Sequence, residues 1–196
     1  MIHTLRRHLL VAAQIGLAWG VTHAGLAEGI AAYKAEDWTT ALAELSPLAE
    51  AGNADAAFYV GYMFETGKGV NVDLARAASL YRGAAENGND RAQFNLAAAL
   101  EAGRGVGADP IEAHRWYLAA ADQGFLRAQY KVAELFESGT GVEQDLIQAY
   151  KWFALAGKTR YLDSRKRRRR VADKMDLFEI AEADLQVRLW REAHAD

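Results

Sequence analysis

The chain has no cysteine. That excludes disulfide staples, thiolate metal ligands and the lipid-modified cysteine of a lipoprotein anchor. Only two prolines interrupt it, so long helices meet few breaks. No apolar run reaches the length of about 18 residues that a membrane-spanning helix needs. The strings H-E-x-x-H, G-x-S-x-G and G-x-x-x-x-G-K-[ST] are all missing, and with them the zinc-protease helix, the nucleophile elbow and the phosphate loop. Of five histidines, only His114 lies in the regular middle of the chain, where it is expected on the surface. No catalytic, cofactor-binding or metal-ligating residue is expected.

What is present favours helix: 51% of the 196 residues are hydrophobic and 25% charged, and alanine, the best helix former, is abundant. The first residues have a separate logic. Arg6 and Arg7 precede a largely apolar stretch over 9–21, and Thr22-His23-Ala24 then places small residues at −3 and −1. This order is that of a secretory signal peptide over 1–24, with a second possible cut after Gly25-Leu26-Ala27. The expected location is periplasmic or secreted, with no stable membrane insertion once the leader is cleaved.

The middle is periodic. ETGKGV at 65–70, EAGRGV at 101–106 and ESGTGV at 137–142 stand 36 residues apart. A phosphate-cradling loop is needed once per site, whereas three copies in register mark a repeat whose units share a turn. Units of 49–84, 85–120 and 121–156 align Gly52, Gly88 and Gly124, then Ala56, Ala92 and Ala128, then Phe58, Phe94 and Tyr130. Positions 56, 60 and 64 of the first unit form an i, i+4, i+8 row, one face of a helix. Gly67, Gly103 and Gly139 suit the left-handed residue that ends a helix. Asp73, Asp109 and Asp145 then suit N-caps of a second helix, Pro110 suits its first position, and Glu112 and Gln148 would complete capping boxes. That helix carries Ala77, Ala113 and Ala149, then Tyr81, Tyr117 and Phe153, small and aromatic columns that read as packing between layers. Glu65, Glu101 and Glu137 read as part of the repeated turn.

The combined pattern G-x-x-x-A-x-[FY]-x-[VL]-[GA]-x-x-[FL]-E-x-G-x-G-V-x-x-D-x-x-x-A-x-x-[LW]-[YF]-x-x-A resembles the Sel1-like repeat family, a branch of the tetratricopeptide superfamily. The resemblance implies an all-α fold, an α-solenoid of stacked antiparallel helix pairs, whose members act as adaptors in protein–protein complexes. Some cysteine-rich relatives are associated with β-lactam hydrolysis, and their paired cysteines are absent here. The expected role is therefore a non-catalytic scaffold whose partner is another protein or peptide held in the concave groove. In the superfamily that groove is lined by variable first-helix positions, here Asp55, Arg91 and Arg127, then Tyr59, Asn95 and Lys131, then Tyr62, Ala98 and Glu134. An alternative is a structural scaffold for polysaccharide or cell-wall machinery, for which Tyr59 and Tyr62 are the obvious rings.

The flanks read as caps. Residues 25–48 fit a degenerate first unit, since Asp37 and Ala41 fall 36 residues before Asp73 and Ala77, so that the solenoid spans 25–157. Residues 158–196 fit a C-terminal helical cap, with one helix over 159–174 and a second from the capping box Asp176–Glu179 to about 193. Leu177, Ile180, Ala181, Leu185 and Leu189 would be the apolar stripe of the second. The cap contains the run Arg165, Lys166, Arg167, Arg168, Arg169, Arg170. Residues 160–170 hold seven basic groups and one acid in a chain of net charge −3. Nucleic acid is not the expected ligand, because no aromatic residue interleaves the run for base stacking. An amphipathic membrane helix is not expected either, since consecutive cations deny it an apolar face. The run is expected to neutralise acidic groups of the array, with a docking patch as the other reading.

Overall fold

The computed structural model describes residues 25–157 and 163–195. The proposed leader over 1–24 lies outside the described residues. Among them there are ten helices and no strand. They comprise α1 over 25–34, α2 Trp38–Glu50, α3 Ala54–Thr66, α4 Leu74–Glu86, α5 Asp90–Ala102, α6 Pro110–Asp122, α7 Leu126–Ser138, α8 Leu146–Ala156, α9 Ser164–Ala172 and α10 Leu177–Ala193. The fold is an all-α solenoid of helix pairs, and no helix among the described residues is long and apolar enough to cross a membrane. Contacts divide the chain into two units, Met1–Asn87 and Gly88–Asp196.

Each pair is punctuated by the same backbone devices. First helices α3 and α5 are capped by Asn53 and Asn89, whose side chains accept from the N–H of Ala56 at 2.9 Å and of Ala92 at 2.8 Å. Gly67, Gly103 and Gly139 end the first helices with φ of 72°, 65° and 75°. There a Cβ would be strained and glycine is not. Asp73, Asp109 and Asp145 then cap the second helices, accepting from Arg76, Glu112 and Gln148 N–H. The second glycine of the turn has its own cause. A Cβ at Gly141 would overlap the Pro110 carbonyl oxygen, and one at Gly69 would sit 2.5 Å from Trp38 Cβ.

In the first unit, α2 packs on α3 and α3 on α4. Ala41 and Leu45 of α2 are fully buried, and Gly29 lets α1 approach the Leu45 side chain. The α1–α2 turn lacks glycine at its left-handed position. Glu36 sits there with φ of 62°, alone among the described non-glycine residues in having a positive φ.

In the second unit, α5–α6 and α7–α8 form hairpins, α6 packs on α7, and α8 carries α9 and α10. The aromatic columns are core as expected: Tyr81 and Tyr117 are 2% exposed and Phe153 is fully buried. His114 is not the surface residue expected. It is buried, its ring edge-on to Phe136 at a centroid distance of 5.0 Å, because α7 packs over that face of α6.

The cap differs from expectation in two respects. Within the described residues its first helix is shorter than 159–174, running from Ser164 to Ala172. At Asp176 the capping box closes reciprocally with Glu179. In the repeats, by contrast, Glu112 accepts the indole N–H of Trp116 one turn along α6, and Gln148 is drawn to a tertiary neighbour, Gln186 of α10, at 2.8 Å. Secondly, α10 turns a different face inward. It buries Ala183 and Val187 with Ile180 and Trp190 half-buried, and exposes Leu177, Ala181, Leu185 and Leu189. The Gln148–Gln186 bond and the Tyr150 hydroxyl donating to Asp184 at 3.0 Å set this rotation. Trp190 of the same face packs edge-on to Trp152 of α8, ring centroids 6.3 Å apart.

Candidate functional site

The repeated glutamates are paired with the second-helix aromatic column. Tyr81 Oη donates to Glu65 at 2.7 Å, and Tyr117 Oη donates to Glu101 at 3.0 Å. A hydrogen bond to a charged group contributes about 1.5–3 kcal/mol, so each pair ties the end of a first helix to the middle of the second. Burial, then the charge of Glu101 and its bond, push the Tyr117 hydroxyl pKa far up. The third repeat has Phe153 in that column and no hydroxyl to offer.

Arg167 fills the role. Its Nη2 lies 2.6 Å from Glu137, its Nε 3.3 Å from the same oxygen, and its Nη1 3.2 Å from Glu134. The guanidinium carbon stands 5.2 Å from the Phe153 ring centroid. Burial opposes the Arg167 charge, but the bond and charge of Glu137 outweigh it and raise its pKa. Lys174 adds a longer contact to Glu137 at 3.8 Å. Nearby, burial together with the bond to Asp163 pushes the Tyr130 hydroxyl up to about 12.

The other five cations of the run are distributed differently. Arg165, Lys166, Arg169 and Arg170 are exposed. Arg168 is half-buried, 5.4 Å from the Tyr150 ring centroid.

The first-helix positions separate by unit. In the first, Asp55 is exposed, and Tyr59 and Tyr62 are half-buried and brought together around Tyr33 of α1, with centroids at 4.9 and 6.4 Å. Trp38 joins at 5.4 Å, and Lys68 Nζ stands 4.7 Å from the Trp38 centroid, 5.4 Å from Tyr33 and 5.7 Å from Tyr62. Burial and the two neighbouring tyrosines raise the Tyr33 pKa. Tyr33 and Lys68 went unnoticed in the sequence because α1 lacks the repeat signature and Lys68 lies inside the turn.

In the second unit the same columns are used differently. Arg91 is exposed and Asn95 half-buried. Arg127 lies over the Phe94 ring at 4.7 Å, Lys131 pairs with Glu101 at 2.8 Å, and Glu134 takes Arg167. These charges are matched within the unit. No group of three or more His, Cys, Asp or Glu among the described residues could hold a metal ion.

The model of the family described as Sel1 repeat matches three segments, 54–89, 90–125 and 126–158. Each begins at a first helix, five residues after the units counted from 49, 85 and 121. No curated protein matches the chain. A Sel1 repeat protein from Oxalobacter formigenes has a similar crystal structure, at a TM-score of 0.68 and 31% identity, over 71% of this chain and 56% of that one. A second, c5321, is described as a protective antigen present in uropathogenic Escherichia coli strains displaying an SLR fold. It matches at a TM-score of 0.58 and 27% identity, over 79% of this chain and 41% of its own. The chain thus spans about half the length of these relatives. The three matched repeats, the capped helix pairs and the tyrosine–glutamate ties agree, and the chain belongs to the Sel1 repeat family.

Proposed function

We propose that this protein is a non-catalytic scaffold or adaptor of the bacterial cell envelope, holding a partner protein or peptide on its first-helix face. Sel1 repeats serve generally as protein-interaction scaffolds, which supports the class. The observation that carries the reading is the half-buried group of Tyr33, Trp38, Tyr59 and Tyr62 around Lys68. Repeat packing does not require Tyr59 or Tyr62, since their columns hold Asn95 and Lys131, and Ala98 and Glu134, in the later units. Tyrosine and tryptophan are the commonest energetic anchors of protein interfaces.

Cross-linked capture from envelope extract tests it, comparing wild-type protein with Tyr59→Ser/Tyr62→Ser. A partner lost only by the variant, with the melting temperature little changed, supports the reading. An identical capture set would sink it. Sugar faces also stack on tyrosine and tryptophan, so the same rings favour the second reading, a scaffold for polysaccharide or cell-wall machinery. Ring-dependent retention on a glycan array would select it. Export to the periplasm or beyond is part of the proposal. N-terminal sequencing from the native host should find a start near Gly25 or Glu28, and an intact Met1 on soluble cytoplasmic protein would refute it.

A further inference from the structure

Away from the first-helix columns, the junction of α8, α9 and α10 carries a concentration of cations. A cavity of about 320 Å³ is lined by Phe153, Ala154, Gly157, Arg165, Arg168 and Arg191. A second, of about 530 Å³, shares Arg165 and Arg168 and adds Tyr150, Lys166, Arg169 and Ala172. Helices α8 and α9 contain no acidic residue.

Several acids of this part of the fold already accept other hydrogen bonds. Asp184 accepts from Tyr150, Asp163 from Tyr130, Glu179 closes the α10 capping box, and Glu182 accepts from Gln186. Among the described residues, Arg165, Arg168 and Arg191 form no ion pair, whereas Arg167 forms two. The C-terminal end of α8 offsets only part of this charge. A helix end carries about half a unit charge, and Arg191 already donates to the Ala154 carbonyl at 3.3 Å. Like charges four apart on one helix, such as Arg165 and Arg169 or Lys166 and Arg170, are destabilising, and these four are exposed.

We propose that Arg165, Arg168 and Arg191 form a docking surface for an acidic peptide segment of a partner protein. The geometry favours spaced carboxylates over one compact phosphate. A helix N-terminus would aid a compact phosphate with its free N–H groups, but the helix end here is the C-terminus of α8, which presents carbonyls and disfavours a concentrated anion. The cations are spread over two adjoining cavities, floored by the Tyr150 and Phe153 rings. Same-face side chains of an extended peptide recur at about 6.6–6.8 Å, so successive carboxylates reach separate places along such a surface.

The test is fluorescence anisotropy of a labelled hexaglutamate peptide titrated with the full chain. Saturable binding that weakens with salt is expected. Arg165→Gln/Arg168→Gln/Arg191→Gln should weaken it about tenfold, the loss of three solvent-accessible ion pairs. A control of equal charge change, Arg115→Gln/Arg170→Gln/Arg188→Gln, removes exposed arginines that do not line the first cavity, and should have much the smaller effect. Thermal melts establish that both variants fold. If the pocket variant does not, Arg165→Gln alone, at an exposed position, must still weaken binding. The proposal is overturned by equal losses in the two triple variants, which would indicate only a general field. It is overturned equally by no saturable binding, or by displacement of the peptide by inorganic phosphate or anionic lipid vesicles at matched charge.

Discussion

Arg167→Gln is the substitution whose effect the structure predicts most sharply. The guanidinium leaves three hydrogen bonds, two to Glu137 and one to Glu134, with only 22% of its side chain exposed and 12% of that of Glu137. Exposed ion pairs contribute about 0.2–1 kcal/mol, while removing one partner of a fully buried pair costs about 3–5 kcal/mol. A pair screened on one side by Phe153 and on the other by limited solvent belongs between, at about 2 kcal/mol of lost stability. For a chain of this size that is a melting temperature lower by about 4–8 °C. Circular dichroism melts at neutral pH and moderate salt measure it. Arg169→Gln, at an exposed position without an ion pair among the described residues, should change stability by less than about 0.5 kcal/mol. Restoring the hydroxyl of the earlier repeats, Phe153→Tyr on the Arg167→Gln background, should recover part of the loss by donating to Glu137. Equal effects at Arg167 and Arg169 would refute the idea that Arg167 replaces the missing tyrosine.

Three further outcomes follow from the backbone and the core. Glu36→Gly should raise stability by about 1 kcal/mol, because a left-handed conformation costs a residue with a Cβ about that much; an unchanged or lower melting temperature would contradict this. Gly103→Ala should cost about 1–2 kcal/mol from φ alone, and Gly141→Ala distinctly more, since its Cβ would also meet the Pro110 carbonyl. Equal losses in the two melts would show that close approach contributes nothing. Burial lowers the His114 pKa below its ordinary value of about 6.5. Above that pH the residue is neutral in both states and contributes no pH dependence. As pH falls below it, the unfolded chain takes up the proton first, so stability declines. Denaturant titrations of His114→Phe should show a shallower decline on acidification, and an unaltered slope would dismiss the account.

Local chemistry was legible in the sequence wherever one residue type answers one backbone need. The 36-residue period, the left-handed glycines at 67, 103 and 139, and the aspartate caps at 73, 109 and 145 are such cases, because a turn is decided within a few residues. The aromatic and alanine columns were legible for a related reason: identical units must bury identical positions when they stack. Where the repeat stops, that constraint stops. The apolar residues of α10 allow more than one face, and packing on α8 buries Ala183 and Val187 while Leu185 and Leu189 stay exposed. The burial of His114 was likewise settled by α7 packing over α6. The run at 165–170 looked uniform as a string, yet folding gave its members unlike surroundings: Arg167 is tied to two glutamates 33 and 30 residues earlier, and Arg168 meets Arg191 beside α8. Periodicity is a local property that a sequence carries openly, but the partner of a charge is set by which distant helix lies against it, and only the tertiary structure decides that.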